Sequence, residues 1–192
     1  MRLVRLFLAF GVLLVFGWSS GASAVPIQWT VAEGGNGHWY EVVSNGMNWT
    51  SAKAYAETRG GYLATVTSAE EHDFIVNNVV PDPILGWGGG LKLGGYQDTS
   101  SPSYSEPGGG WSWVTGEAWS YTNWTSGEPN NAGGAENFLT MHPVATGSSE
   151  YSWNDNSSGY DFPFIIETVP EPSTALLVGI GLSALAVRRE QR

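Results

Sequence analysis

Trp49-Thr50-Ser51-Ala52-Lys53-Ala54-Tyr55, Gly60-Gly61-Tyr62-Leu63-Ala64-Thr65-Val66 and Ser68-Ala69-Glu70-Glu71 make up the stretch that decides how this chain folds. Asn48 precedes the first run as an N-cap, and Gly60 and Gly61 close it, so the pattern predicts a helix over 49–58. Residues 62–66 read as a short strand. Ser68 and Glu71 have capping-box spacing: the Ser68 hydroxyl can accept the backbone N–H of Glu71, and the Glu71 carboxylate can accept that of Ser68. A second helix is expected to about Asn78, with Phe74 and Ile75 facing the core. Pro81 and Pro83 stop it.

Outward from this stretch, residues 38–43 read as an opening strand and 164–167 as a closing one. Residues 84–150 are rich in Gly, Ser, Asn and Trp, with strand-like pieces at 91–96 and 111–114. Early helices, a long irregular stretch and strands at both ends predict an α+β domain. Its termini would pair, and it would carry a long functional loop.

The ends read as signals. Residues 1–24 have the form of a secretory signal peptide: Arg2 and Arg5, an apolar stretch over 6–16, and the small-residue site Ala22-Ser23-Ala24. At the other end, Val169-Pro170-Glu171-Pro172 precedes an apolar run over 175–187 and then Arg188, Arg189 and Arg192. That run is shorter than the roughly 20 residues a comfortable transmembrane helix needs. Segment 169–192 resembles the PEP-CTERM sorting signal of Gram-negative bacteria. The resemblance implies a short transmembrane segment, processing by an exosortase-type enzyme, and release or attachment in an extracellular polysaccharide (biofilm) matrix. Membrane contact is expected only through this segment.

Between the ends lies the body, residues 25–168. Its only cations are Lys53, Arg59 and Lys92, while all of the 18 acidic residues except Glu171 and Glu190 fall inside it. Such a field repels phosphate backbones, so nucleic acid is excluded as a partner, and metal cations are favoured. Solubility alone would explain the charge equally well. The chain has no cysteine, so an exported fold of this size must be held by its core, by a metal, or by both. All ten tryptophans but Trp18 lie in the body. Trp111, Trp113, Trp119 and Trp124 are expected in the core rather than stacked on a ligand. His38, His72 and His142 lack a metal-ligand spacing and read as solvated or packed.

The opening stretch, taken with Gly94-Gly95-Tyr96-Gln97-Asp98, Trp111-Ser112-Trp113-Val114-Thr115-Gly116, Tyr121-Thr122-Asn123-Trp124, Gly127-Glu128-Pro129-Asn130-Asn131, Glu136-Asn137 and Trp153-Asn154-Asp155, resembles the C-type lectin-like domain. The similarity runs over about 37–168 in the family's order. It implies the C-type lectin-like fold: two helices with small antiparallel sheets and a long loop region. The chain departs from the family in lacking its two usual disulfides and in an apparent insertion around 142–152.

By this resemblance Glu128, Asn130, Glu136, Asn154 and Asp155 hold Ca2+, and the Asp155 carbonyl can add a further oxygen. Calcium takes six to eight oxygen ligands, and these are the residue types it favours. A cis bond before Pro129 would turn the flanking side chains toward one ion. The resemblance also assigns carbohydrate binding to Glu128, Asn130, Glu136 and Asn154. Two neighbouring sugar hydroxyls would complete the metal shell, with Glu128 accepting from one and Asn130 donating to the other. The Glu-Pro-Asn order implies a mannose- or glucose-type preference. Asp98 is a candidate for an auxiliary calcium.

The expected function is therefore calcium-dependent glycan or exopolysaccharide binding by an exported lectin of the cell surface or extracellular matrix. The alternative is a calcium-independent structural or protein-binding module of the same fold. An enzyme is not expected: no G-x-S-x-G motif occurs, and no acid–base pair of a glycosidase can be assigned.

Overall fold

The computed structural model describes residues 24–80, 90–144 and 150–170. Residues 1–23 of the expected signal peptide, Pro81 and Pro83, and the apolar run 175–187 lie outside the described residues. Among the described residues no helix is long and apolar enough to cross a membrane.

The two ends of the body pair as expected. Strand β1 (Ile27–Gln28) lies beside β2 (Trp39–Met47), and β2 pairs antiparallel with β8 (Phe162–Thr168), with Tyr40 opposite Glu167 and Val42 opposite Ile165. Strand alternation divides the side chains between two faces. Tyr40, Val42 and Ile165 enter one core, while Val43, Phe164 and Ile166 enter another. Helix α1 (Trp49–Thr58) covers the second core with Ala52 and Ala56, and Asn48 Oδ1 caps it by accepting the Ser51 N–H at 2.9 Å.

Strand β3 (Tyr62–Leu63) is shorter than the expected run to Val66. The Ala64 N–H still donates to Ile165 O at 2.9 Å, but the Thr65 N–H turns to the Glu167 carboxylate at 2.9 Å, which ends the ladder. Helix α2 (Ala69–Phe74) runs on as a π-helical turn over Ile75–Val79. Only half of the capping box forms. Ser68 Oγ accepts the Glu71 N–H at 3.1 Å, but Glu71 Oε2 accepts from the N–H of Thr67 at 2.7 Å rather than from Ser68. The reason is burial: Glu71 Oε1 also accepts the Tyr40 hydroxyl at 2.6 Å, which draws the carboxylate into the core.

The pairings join into one sheet, in the order β1-β2-β8-β4-β6-β7, with β6 over Phe138–Pro143 and β7 over Tyr151–Asn156, and with β3 on β8 and β5 (Trp111–Trp113) on β4 (Leu91–Gln97). All are antiparallel except β4 against β8, which meet in parallel at Lys92 and Phe164. At the centre of the sheet, β4 passes so close to β3 that a Cβ on Gly94 would sit 2.3 Å from Leu63 O. Lys92 is fully buried beneath the Phe162 ring, with Nζ 4.9 Å from the ring centroid. Burial pushes its ammonium down to about 8, opposed by Asp161.

Strand β6 (Phe138–Pro143) falls in the stretch 84–150 that the sequence reads as irregular, and β7 (Tyr151–Asn156) just after it, where no strand is expected. They form a regular hairpin, and β7 brings Trp153 into the main core. There its ring lies against Trp113, Trp119, Tyr121 and Trp124, with centroids between 5.5 and 5.9 Å away. Trp111 and Trp113 are buried and Trp119 and Trp124 pack against the same cluster, as expected.

Candidate functional site

The site is built on the rim of the sheet, where β7 meets the loop 127–137. The Trp153 backbone anchors the approach to that loop: its N–H donates to Asn123 O at 2.7 Å, and its carbonyl accepts from the Thr125 N–H at 2.9 Å. Gly127 then takes a left-handed turn with φ of 94°, a region that favours glycine, and the Glu128–Pro129 peptide is cis. Asp155, fully buried on β7, closes the loop from below. Its Oδ1 accepts the Asn130 N–H at 3.0 Å and its Oδ2 the Asn131 N–H at 2.7 Å.

The loop also braces itself. Asn131 Oδ1 accepts the Glu136 N–H at 3.0 Å, and Glu136 Oε2 accepts the Ala132 N–H at 2.7 Å. Asn130 Nδ2 donates to Glu128 Oε1 at 2.9 Å, so an amide donor and a carboxylate acceptor stand side by side. Two oxygens are buried and find no hydrogen-bond partner among the described residues: Glu128 Oε2 and Asn154 Oδ1. Leaving a buried acceptor unsatisfied costs about 1–3 kcal/mol.

The electrostatics are those of crowded carboxylates. Burial raises the Glu128 carboxyl above its ordinary value, and the neighbouring carboxylates of Asp155 and Glu136 add to this, opposed by the Asn130 amide. Burial also raises Glu136, opposed by the Ala132 N–H and reinforced by Asp155.

The fold thus brings Glu128, Asn130, Glu136 and Asp155 together, and Asn154 precedes Asp155 on β7 with its orphaned oxygen. Among the described residues no three His, Cys, Asp or Glu side chains form a group able to hold a metal by themselves. A cation here would need the amide oxygens as well. The donors on offer are all oxygen, two of them unsatisfied, which suits a hard cation such as Ca2+. Asp98 is engaged elsewhere: its Oδ1 accepts from the Ser100 N–H and hydroxyl, and these bonds hold its carboxyl below the ordinary value.

A second polar cluster escapes the sequence reading. Glu71 and Glu167, both buried, share the Tyr40 hydroxyl at 2.6 and 3.3 Å. Glu167 also accepts from Tyr62, from the Thr65 N–H and hydroxyl, and pairs with His38 Nδ1 at 2.6 Å. The signal available was a charged residue, Glu167, inside an otherwise apolar closing strand.

A profile of the lectin C-type domain matches residues 45–168, and one of the PEP-CTERM protein-sorting motif matches 168–190. The chain is 30% identical over 133 residues to a lectin of Pleurodeles waltl, covering 66% of this chain and 67% of that protein. It is 31% identical over 124 residues to ladderlectin of Oncorhynchus mykiss, covering 63% of this chain and 57% of the relative. Among solved structures, the cow C-type carbohydrate-recognition domain of CD23, determined in the presence of GlcNAc2Man3 oligosaccharide, superposes with a TM-score of 0.54 at 25% identity, over 70% of this chain and 90% of that one. A calcium-independent type II antifreeze protein superposes with a TM-score of 0.55 at 22% identity, over 78% of this chain and 97% of the other.

Proposed function

Since the chain belongs to the C-type lectin domain family and ends in a PEP-CTERM sorting motif, we propose that it is an exported lectin that binds glycans or exopolysaccharide through Ca2+ held by the loop 127–137 and β7. The observation that carries this reading is the pair of unsatisfied buried oxygens, Glu128 Oε2 and Asn154 Oδ1, beside carboxyls raised by burial and by their neighbours' charge. Glu128, Asn130, Glu136, Asn154 and Asp155 would hold the ion. Once bound, calcium would supply a positive centre for two vicinal sugar hydroxyls.

The rest of the recognition falls to this chain's own atoms. Glu128 Oε1 and Asn130 Nδ2 are bonded to each other at 2.9 Å. A diol would exchange that internal bond for two, one hydroxyl donating to the carboxylate and the other accepting from the amide. Asp155 acts beneath the sugar: by gripping the N–H groups of Asn130 and Asn131 it fixes the loop that carries both contacts. A mannose- or glucose-type preference fits this donor and acceptor order. A single shallow site of this kind binds at about millimolar strength, about −4 kcal/mol, so matrix retention would rest on multivalency. The sorting motif implies export, with surface or extracellular placement. Processing by an exosortase-type enzyme, transient membrane anchoring and a place in the biofilm matrix belong to the same proposal, as does a binding rather than an enzymatic role.

A second reading has its own support. The loop is already closed by backbone bonds to Asp155 and Glu136, and one structural neighbour is a calcium-independent protein by description. In that reading the domain is a calcium-independent structural or protein-binding module.

Calorimetric titration of Ca2+ into the purified protein separates the two. The parent is expected to bind, and a Glu128→Ala/Asn154→Ala double variant to lose roughly 100-fold, about 2.7 kcal/mol. Mannose and glucose would then bind only in the presence of calcium. A folded parent that takes up no calcium would leave the second reading.

The pH dependence follows from the raised carboxyls. Protons and calcium compete for Glu128 and Glu136, whose values lie above the ordinary 4.5. Calcium affinity should therefore weaken as pH falls toward about 5, with proton release on binding. Calorimetry in two buffers of different ionisation enthalpy measures that release. An affinity and heat unchanged from about pH 7 to about pH 5 would argue against these two carboxylates as ligands.

A further inference from the structure

Strand β4 ends in a buried amide. Its Leu91 and Leu93 are core residues, and Gln97, at its end, is only 4% exposed and lies opposite buried Trp111. A buried amide has to be hydrogen-bonded, and the side-chain bonds of Gln97 run to two different loops. Nε2 donates to Gly109 O at 2.7 Å, with Pro107 O at 3.3 Å and Glu106 Oε2 at 3.4 Å. Oε1 accepts from Asn137 Nδ2 at 3.2 Å, and the Gln97 backbone N–H donates to Asn137 O at 2.8 Å. The partners fix which way the amide points. Carbonyls and a carboxylate gather on one side and an N–H donor on the other, so a flipped amide would set oxygen against oxygen.

The loop behind Gln97 is firmly seated. Pro107 O also accepts the Trp111 indole N–H at 3.1 Å, and the Asp98 N–H donates to Gly110 O at 2.7 Å. A Cβ on Gly109 would sit 2.5 Å from Ser103 O, so the segment turns back tightly on itself. Gln97 Oε1 is therefore a fixed acceptor.

In front of it, Asn137 is gripped at both its side chain and its carbonyl, and Glu136 directly precedes it. The Glu136 N–H is held from the other direction by Asn131 Oδ1 at 3.0 Å. Asp155 anchors the same loop at Asn130 and Asn131. The loop 127–137 thus has one anchor at Asp155 and a second at Gln97.

We propose, on the reading of Glu136 as a calcium ligand, that Gln97 is a positioning residue of the cation site: through Asn137 it fixes the backbone from which the Glu136 carboxylate projects. Without its amide, only the backbone bond to Asn137 O remains at this end of the loop. Glu136 then has to be ordered when the ion arrives. Loss of such an outer partner lowers metal affinity by about 10–100-fold.

The test compares Gln97→Met, which keeps the length of the side chain without its amide, with Tyr62→Phe, which removes a hydrogen bond to Glu167 and leaves the loop untouched. NMR in excess chelator reads the contact without any metal. The Asn137 side-chain amide protons are expected to shift and to exchange faster in Gln97→Met, and to match the parent in Tyr62→Phe. Calorimetric Ca2+ titration, run well below the unfolding temperature of each protein, should then show affinity at least about tenfold weaker in Gln97→Met and unchanged in Tyr62→Phe. Asn137→Ala breaks the same bond from the other side and should give a similar loss; it carries the test if Gln97→Met does not fold. Because both remove one shared bond, the double variant should lose less than the sum of the two. Unchanged Asn137 amide protons in Gln97→Met would overturn the proposal. So would parent-like calcium affinity in the Gln97 and Asn137 variants, which would leave the loop site itself standing, or an equal loss in Tyr62→Phe, which would trace the effect to stability alone. A folded parent that takes up no calcium would instead overturn the reading of Glu136 as a ligand, and the positioning role with it.

Discussion

Trp153→Ala is expected to cost about 3–5 kcal/mol of folding stability, the range for removing a large aromatic side chain from a core. Trp153 is fully buried and touches four aromatic rings, three of them (Trp113, Tyr121 and Trp124) edge-on at 89–90°. Its indole N–H has no partner among the described residues, so the loss is one of packing and leaves no acceptor stranded. The same residue holds the 123–125 segment through its backbone and is followed by Asn154 and Asp155, so the variant should also weaken ligand binding at the loop. Urea unfolding with near-UV circular dichroism measures the first effect. Trp153→Phe should recover part of it, because a ring remains in the stack. A loss below about 1 kcal/mol for the alanine variant, against the expectation for a buried aromatic, would mean that the other rings close over the gap.

Glu167→Ala should be as damaging, about 3–5 kcal/mol, because breaking a buried charged network strands its partners. The Thr65 N–H, the Tyr62 hydroxyl and His38 lose their main acceptor at once. The pH profile adds a signature that packing loss alone would not give. His38 is raised chiefly by its hydrogen bond to Glu167, and Glu71 is raised chiefly by burial. In both cases the folded state holds the proton more tightly than the unfolded chain. The resulting stability is fully present below the unfolded value and is lost as pH rises through the raised one. In Glu167→Ala the His38 value should fall toward 6.5 and its share of the pH dependence should shrink. A His38 titration that does not move, followed by NMR, would contradict the pairing.

Much of the architecture was legible because it rests on local rules. Asn48 caps α1, Gly60 and Gly61 end it, and Ser68 opens α2, each by contacts within a few residues. The terminal strands were legible from Val42-Val43 and Ile165-Ile166, whose burial on both faces leaves an apolar run. Strands β6 and β7 were not legible. Thr140 and Asp155 are buried there, and Asn154 follows Trp153, so the apolar alternation that marks a strand is broken by residues kept for other purposes. Lys92 was read as one of the body's cations, yet β4 carries it into the sheet under Phe162.

By itself, the sequence determined the family, the helix boundaries and the chemical types gathered around Pro129, because caps, turns and motif order act over short spans of chain. Only the tertiary structure decided which atoms those types share. Asp155 lies 25 residues from Asn130 and 24 from Asn131 in sequence, yet its carboxylate bonds both their amides. Glu71 leaves half of its capping box for a tyrosine 31 residues away. Burial is the common reason: a polar group taken out of water must find its partner wherever the fold has placed one, and no local pattern encodes that distance.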